Sequence, residues 1–165
     1  MHAGDSGNPR AGSILLVCNL KQTILSGMEV LIWPVVAVLV LTGVLHVAWG
    51  TGAVWPGRDA QDLAQKVVGG PQVDRMPSPL ACYAVAGALL VASAALVMTL
   101  VPSDFQPLVR LAGFMVAGVF LLRGVLGYAL PTQAYSGQDF VRLNRVMYSP
   151  LCLALGGMTL LALLG

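Results

Sequence analysis

Four long apolar stretches separated by more polar ones set the pattern of the chain. They run from about Val30 to Gly50, Leu80 to Val101, Leu108 to Leu130, and Ser149 to Leu164. A helix of about 20 mostly apolar residues crosses a bilayer core of about 30 Å. Each stretch therefore predicts a membrane span, the fourth being at the lower edge of a full crossing. A soluble helical bundle carries polar side chains at helical spacing on its outer face. The second and fourth stretches show no such face. The pattern thus predicts an all-α integral membrane four-helix bundle over residues 28–165.

Residues 1–27 follow a different pattern. Their first part is polar and loop-like, and the apolar run Ile14 to Leu20 is too short for a span and interrupted by Asn19. The segment reads as a disordered or non-native N-terminal extension, with Met28, directly before the first span, as the natural start. A weak signal-peptide core is the other reading, although no clean small-residue cleavage site follows it.

The connections differ in length. The first, Thr51 to Pro79, is rich in Gly and Pro, and within it Asp59 to Val68 has a helical pattern: Asp59 can cap it, Leu63 and Val67 share a face, and Gly69-Gly70-Pro71 stops it. A short helix lying at the membrane surface is expected there. The second connection, Val101 to Pro107, is tight, and the third runs from Pro131 to Tyr148. Arg58, Lys66, Arg75, Arg142 and Arg145 fall in the first and third connections, whereas Arg10, Lys21 and Arg110 fall on the other side. The positive-inside rule then puts loops 51–79 and 131–148 in the cytoplasm.

Composition agrees with lipid as the solvent. Hydrophobic residues make up 57% of the chain and charged residues 10%, against about 25% charged in soluble domains. A net charge of +2 with no basic stripe excludes a nucleic-acid partner. Cys18, Cys82 and Cys152 are widely spaced and form no CxxC, so they encode no disulfide framework, zinc site or redox pair. No catalytic residue, metal site or cofactor is predicted.

Two fragments recur. Met76-Pro77-Ser78-Pro79-Leu80 opens the second span and Met147-Tyr148-Ser149-Pro150-Leu151 the fourth, with Ser as N-cap and Pro at the first helical position. Gly43-Val44-Leu45-His46-Val47-Ala48-Trp49 ends the first span and Gly124-Val125-Leu126-Gly127-Tyr128-Ala129-Leu130 the third. Duplication would give two tandem helical hairpins of the same orientation. Short apolar matches also arise by chance, and both readings stay open.

Few polar residues interrupt the spans, and they gather at one end. His46 and Trp49 lie near the end of the first span, with Tyr128 at the end of the third. Arg123 is about seven residues, or roughly 10 Å, inside the third. Asn144, Arg145 and Tyr148 precede the fourth span, and the hairpin topology brings all of them to the same membrane face. Arg123 can snorkel to the phosphates, His46 and Trp49 can form an interfacial belt, and Arg142 and Arg145 can serve only the charge bias. An ionisable residue inside a span is also a functional hypothesis by default. On that reading the candidate ligand-binding residues are His46, Trp49, Arg123, Asn144, Arg145 and Tyr148. Arg123 would hold an anionic group, a lipid phosphate or a carboxylated small molecule. His46 and Tyr148 would orient it, and Trp49 would wall the pocket. Ala84, Ala88 and Ala92, and Gly113 with Ala117, repeat at intervals of four and allow close helix approach, within the bundle or in a homo-oligomer.

Three punctuated elements resemble those of the DUF3995 family of small bacterial membrane proteins. His46-Val47-Ala48-Trp49-Gly50-Thr51-Gly52 resembles its H-x-x-W-A/G-x-G element, and Leu122-Arg123-Gly124-Val125-Leu126-Gly127 its R-G-x-x-G element. The run Asn144 to Cys152 resembles its D-x-x-x-Y-S-P-L-C element. The pattern departs at Asn144, where the family element has an acidic residue, which weakens the case for a carboxylate partner to Arg123 or His46 there. The resemblance implies four helices, the bacterial plasma membrane and a shared polar cluster, and no reaction.

Three function classes compete. A non-enzymatic membrane module that binds lipid or another anion through its cytoplasmic face explains the polar residues without asking them to do chemistry. A membrane redox or quinone/haem-linked subunit is the alternative. His46 is the one histidine in a span, so an intrachain bis-histidine haem is excluded, while an open or dimer-shared site is not. A small transporter ranks last: no span carries a carboxylate, and most of the bilayer depth lacks polar groups.

Overall fold

A computed structural model describes residues 29–68, 75–129 and 138–165, together with Asn19 and Gly27. The expectations for the N-terminal extension, for Met28 as a start, for Gly69-Gly70-Pro71 and for residues 130–137 lie outside the described residues. The described elements are helical: α1 (Ile32–Gly50), α2 (Ala60–Val67), α3 (Pro79–Met98), α4 (Gln106–Ala129), α5 (Gln138–Leu143), a π-helical turn (Asn144–Tyr148) and α6 (Ser149–Leu164). Four helices are long and apolar enough to cross a membrane: α1, α3, α4 and the continuous run Asp139–Leu164.

The spans expose large apolar side chains over much of their outer surface, among them Leu41, Val44, Val91, Met115, Val119 and Leu122. Water would not tolerate such a girdle, and lipid does. Packing therefore has to hold the helices together without a hydrophobic effect between them. The closest-packed pairs are α1 with α3 and α4 with α6, the two sequential hairpins. Ile32, Val35, Leu39, Leu96 and Leu155 form the buried core, with Val116 and Phe120 of α4 against it.

The ends of the helices follow their local sequence where the chain is free to turn. Asp59 accepts the Asp62 N–H at 2.8 Å and starts α2. Ser78 accepts the Ala81 N–H at 3.3 Å and starts α3, with Pro79 behind it. The expected parallel at Ser149-Pro150 is corrected. Ser149 is fully buried and caps nothing, and the fourth span begins well before it, at Asp139. The physical reason is the π-helical turn. Pro150 has no N–H to give to a carbonyl four residues back. The Ser149 N–H instead reaches the Asn144 carbonyl, five residues back, and the wider turn absorbs the ring without breaking the helix. Residues 138–148, expected as loop, are thus helical.

Candidate functional site

The π turn decides which side chains face α4. It turns Asn144 inward, where the residue is 2% exposed. Asn144 uses both ends of its amide: Oδ1 accepts from Arg123 Nη2 at 2.9 Å, and Nδ2 donates to the Gly127 carbonyl at 2.6 Å. Arg123 and Gly127 are one turn apart on α4, so this single side chain spans that turn. The fit depends on glycine. A Cβ at Gly127 would stand within 3.0 Å of Ser149 Oγ, Arg123 Nη1 and Asn144 Nδ2. Three polar atoms therefore converge on the space that glycine leaves.

Two of those atoms are buried without a hydrogen-bond partner: Arg123 Nη1 and Ser149 Oγ. Buried polar groups are nearly always satisfied, so these two unpartnered atoms beside Gly127 mark the polar centre of the site. Among the described residues Arg123 also has no carboxylate partner. The two ion pairs among the described residues, Arg58–Asp62 and Lys66–Asp62, both belong to the α2 region. No Asp or Glu occurs in α1, α3, α4 or α6.

The other candidates divide into two groups. Tyr148 donates to the Lys66 carbonyl at 3.2 Å and lies against Phe140, with ring centres 6.3 Å apart. It ties the π turn to α2, whose Leu63 and Ala64 are fully buried. Arg145 accepts through its carbonyl from Tyr128 Oη at 3.2 Å, and its side chain is exposed. His46 and Trp49 form a separate pair on α1, with ring centres 4.8 Å apart. The Thr42 carbonyl lies 2.8 Å from His46 Nδ1. A carbonyl only accepts, so Nδ1 carries a proton and donates it. Trp49 Nε1 donates to the Trp55 carbonyl at 2.7 Å. Among the described residues no hydrogen bond or ring contact joins His46 or Trp49 to Arg123.

Asp62, on α2, is the group with a defined acid strength. The Lys66 ammonium, bonded to it at 2.8 Å, and then the Arg58 N–H hold its carboxyl down at about 2.

Sequence reasoning missed Ser149 and Gly127 as members of the site. Ser149 looked like a cap, and Gly127 stood only in the fragment that ends the third span and in the R-G-x-x-G element. The usable signal was spacing: Gly127 stands one turn after Arg123, on the same face.

A family model described as a protein of unknown function, DUF3995, matches residues 39–159. The chain belongs to the DUF3995 family. The matched DUF3995 region contains His46, Trp49, Arg123, Gly127, Asn144, Arg145, Tyr148 and Ser149. No curated protein and no solved structure matches the chain. The DUF3995 element expected to supply an acid at position 144 has Asn144 here, and it is this amide, not a carboxylate, that meets Arg123.

Proposed function

We propose that this DUF3995 protein is a membrane-embedded binding module that holds an anionic group at Arg123. The observation that carries this reading is the buried, unpartnered Arg123 Nη1 beside the equally unpartnered Ser149 Oγ. Both can donate to one oxygen, and hydrogen bonds from a charged donor are about twice as strong as neutral ones. Asn144 holds the other arm of the guanidinium and fixes its plane. A cation near apolar surroundings, without a counter-ion among the described residues, favours an anion from outside.

The charge bias along the sequence supports a cytoplasmic position for this end: Arg58, Lys66, Arg75, Arg142 and Arg145 fall in its connections, against Arg10, Lys21 and Arg110 on the other side. His46 and Trp49 enter this reading only as neighbours on α1, since among the described residues no hydrogen bond or ring contact joins them to Arg123. Thermal unfolding of the full chain in neutral detergent tests the reading. Phosphatidylglycerol should raise the midpoint of the wild type more than that of Arg123→Gln. An equal rise in both would refute it.

A further inference from the structure

The outer surface of the spans sorts its side chains by depth. Among the described residues the exposed aromatic rings are Trp33, Trp55, Tyr83, Phe105 and Tyr128. Each lies within five residues of a span end, Trp55 being the furthest out. Between those ends the exposed surface is aliphatic, as at Leu41, Val44, Val91, Met115 and Val119. The rings in the middle of α4 are kept from that surface: Phe114 and Phe120 are half-buried, and Phe120 packs against the core.

The exposed rings fall at two levels. Trp33 begins α1 and Phe105 directly precedes α4, which the up-and-down order of the spans puts at one end. Trp55 follows α1, Tyr83 stands in the second turn of α3, and Tyr128 is next to the last residue of α4, all at the polar end. Trp33 and Gly50 are 17 residues apart on α1, which is about 26 Å along the axis. With Trp55 beyond Gly50, the two levels match a hydrocarbon core of about 30 Å.

The tryptophan of the polar end is held outward by a fixed turn. The Trp55 carbonyl accepts from Trp49 Nε1 at 2.7 Å, the Val54 carbonyl accepts the Gly57 N–H at 2.7 Å, and the Asp62 carboxylate accepts the Arg58 N–H at 2.8 Å. These bonds pin the backbone from residue 54 to residue 58. Trp55 is nevertheless 70% exposed, and the Arg58 side chain beside it 87%. Trp49 is half-buried and spends its indole N–H on the turn, so Trp55 is the ring presented outward here.

We infer that Trp55, Tyr83 and Tyr128 form an anchoring surface that seats in the headgroup layer of a phospholipid bilayer, with Trp33 and Phe105 seated in the opposite layer. The occupant follows from how the rings are distributed. They come from the α1–α3 connection, from α3 and from α4, and they share a depth rather than a patch, as a layer requires and a protein partner does not. Indole and phenol rings favour that layer because one edge is polar and the body is apolar. Arg58 adds a cation at the height of the phosphates. The same plane places Arg123, five residues before Tyr128 on α4, about 7 Å beneath it, in the hydrocarbon.

Fluorescence quenching of the full chain reconstituted in phosphatidylcholine vesicles tests this. The Trp55 signal is the difference between the Trp33→Phe protein and the Trp33→Phe/Trp55→Phe protein, which keeps Trp49 and its bond to a backbone carbonyl. The Trp33 signal is read in the same way from Trp55→Phe. The lipid is brominated either high in the acyl chain, near the glycerol, or deep, near the chain end. For both tryptophans the shallow label should quench about twofold more than the deep one, as interfacial rings require. Stronger quenching of Trp55 by the deep label would put the ring in the core and overturn the anchor. Quenching of Trp55 by iodide on both sides of the vesicle, with neither lipid label acting, would put the turn in water and overturn it equally. If Trp55 follows the expected order and Trp33 does not, the polar-end surface stands and the paired level at the other end falls.

Discussion

Arg123 and Asn144 meet across two helices: Nη2 of the guanidinium donates to the amide oxygen at 2.9 Å, while the amide nitrogen donates to the Gly127 carbonyl. One side chain thereby fixes the plane of the cation and the register of α4 against the π turn. Asn144→Leu removes both bonds while keeping the volume. Interhelical hydrogen bonds in membranes average about 0.6 kcal/mol and reach about 1.7. With two bonds lost, Asn144→Leu should destabilise the protein by about 1–3 kcal/mol, read as a lower thermal midpoint in detergent. An unchanged midpoint would mean that the contact holds nothing.

Gly127 and Gly50 both sit at close approaches, and they should respond differently to alanine. At Gly127 the new methyl meets Ser149 Oγ in a fully buried contact, with Arg123 and Asn144 behind it. Overpacking of this kind costs about 1–3 kcal/mol. At Gly50 the methyl meets the Tyr83 ring at 2.5 Å, but Tyr83 is 43% exposed and can swing out. Gly50→Ala should therefore cost clearly less than Gly127→Ala. Ser149→Ala, which removes the oxygen in the way, should recover part of the Gly127→Ala loss in the double variant. Thermal midpoints of the four proteins check both points.

Asp62 makes the docking of α2 sensitive to acid. Its carboxyl lies at about 2 in the folded protein, against an ordinary value of 3.8. A lowered folded value contributes stability that is complete above the ordinary value and is lost as pH falls from 3.8 toward 2. The protection of amides 60–67, measured against intrinsic exchange at each pH, should thus fall over that window, and Asp62→Asn should abolish that fall. An Asp62→Asn protein with the wild-type pH profile would assign the effect to another group.

Much of this was legible from the chain, and the misreadings share a cause. Apolar length alone placed three of the four spans to within a few residues, because a bilayer demands about 20 apolar residues whatever the neighbours are, while the fourth begins at Asp139 rather than near Ser149. The Asp59 and Ser78 caps were legible because capping is local. Ser149-Pro150 has the same local signature as Ser78-Pro79, yet the chain before it is already helical, and a π turn rather than a cap absorbs the proline. That outcome depends on packing against α4, which no local motif encodes. The small-residue stripe divides for a similar reason. Gly113 and Ala117 are buried as expected, but Ala84 and Ala88 are exposed, because α3 turns Cys82 and Ala86 toward α1 instead. The candidate site was found as a cluster of residue types. Its division into an Arg123 group and a His46 group depends on which helices pair.

The central claim is that Arg123 holds an anion, and native mass spectrometry of gently solubilised protein tests it most directly. Wild type, Arg123→Gln and Arg142→Gln are compared, Arg142 being an exposed cation of α5 that the site does not use. The account predicts an anionic lipid adduct on wild type and on Arg142→Gln, and its loss from Arg123→Gln. Equal adducts on all three proteins, or no anionic adduct on the wild type, would contradict it.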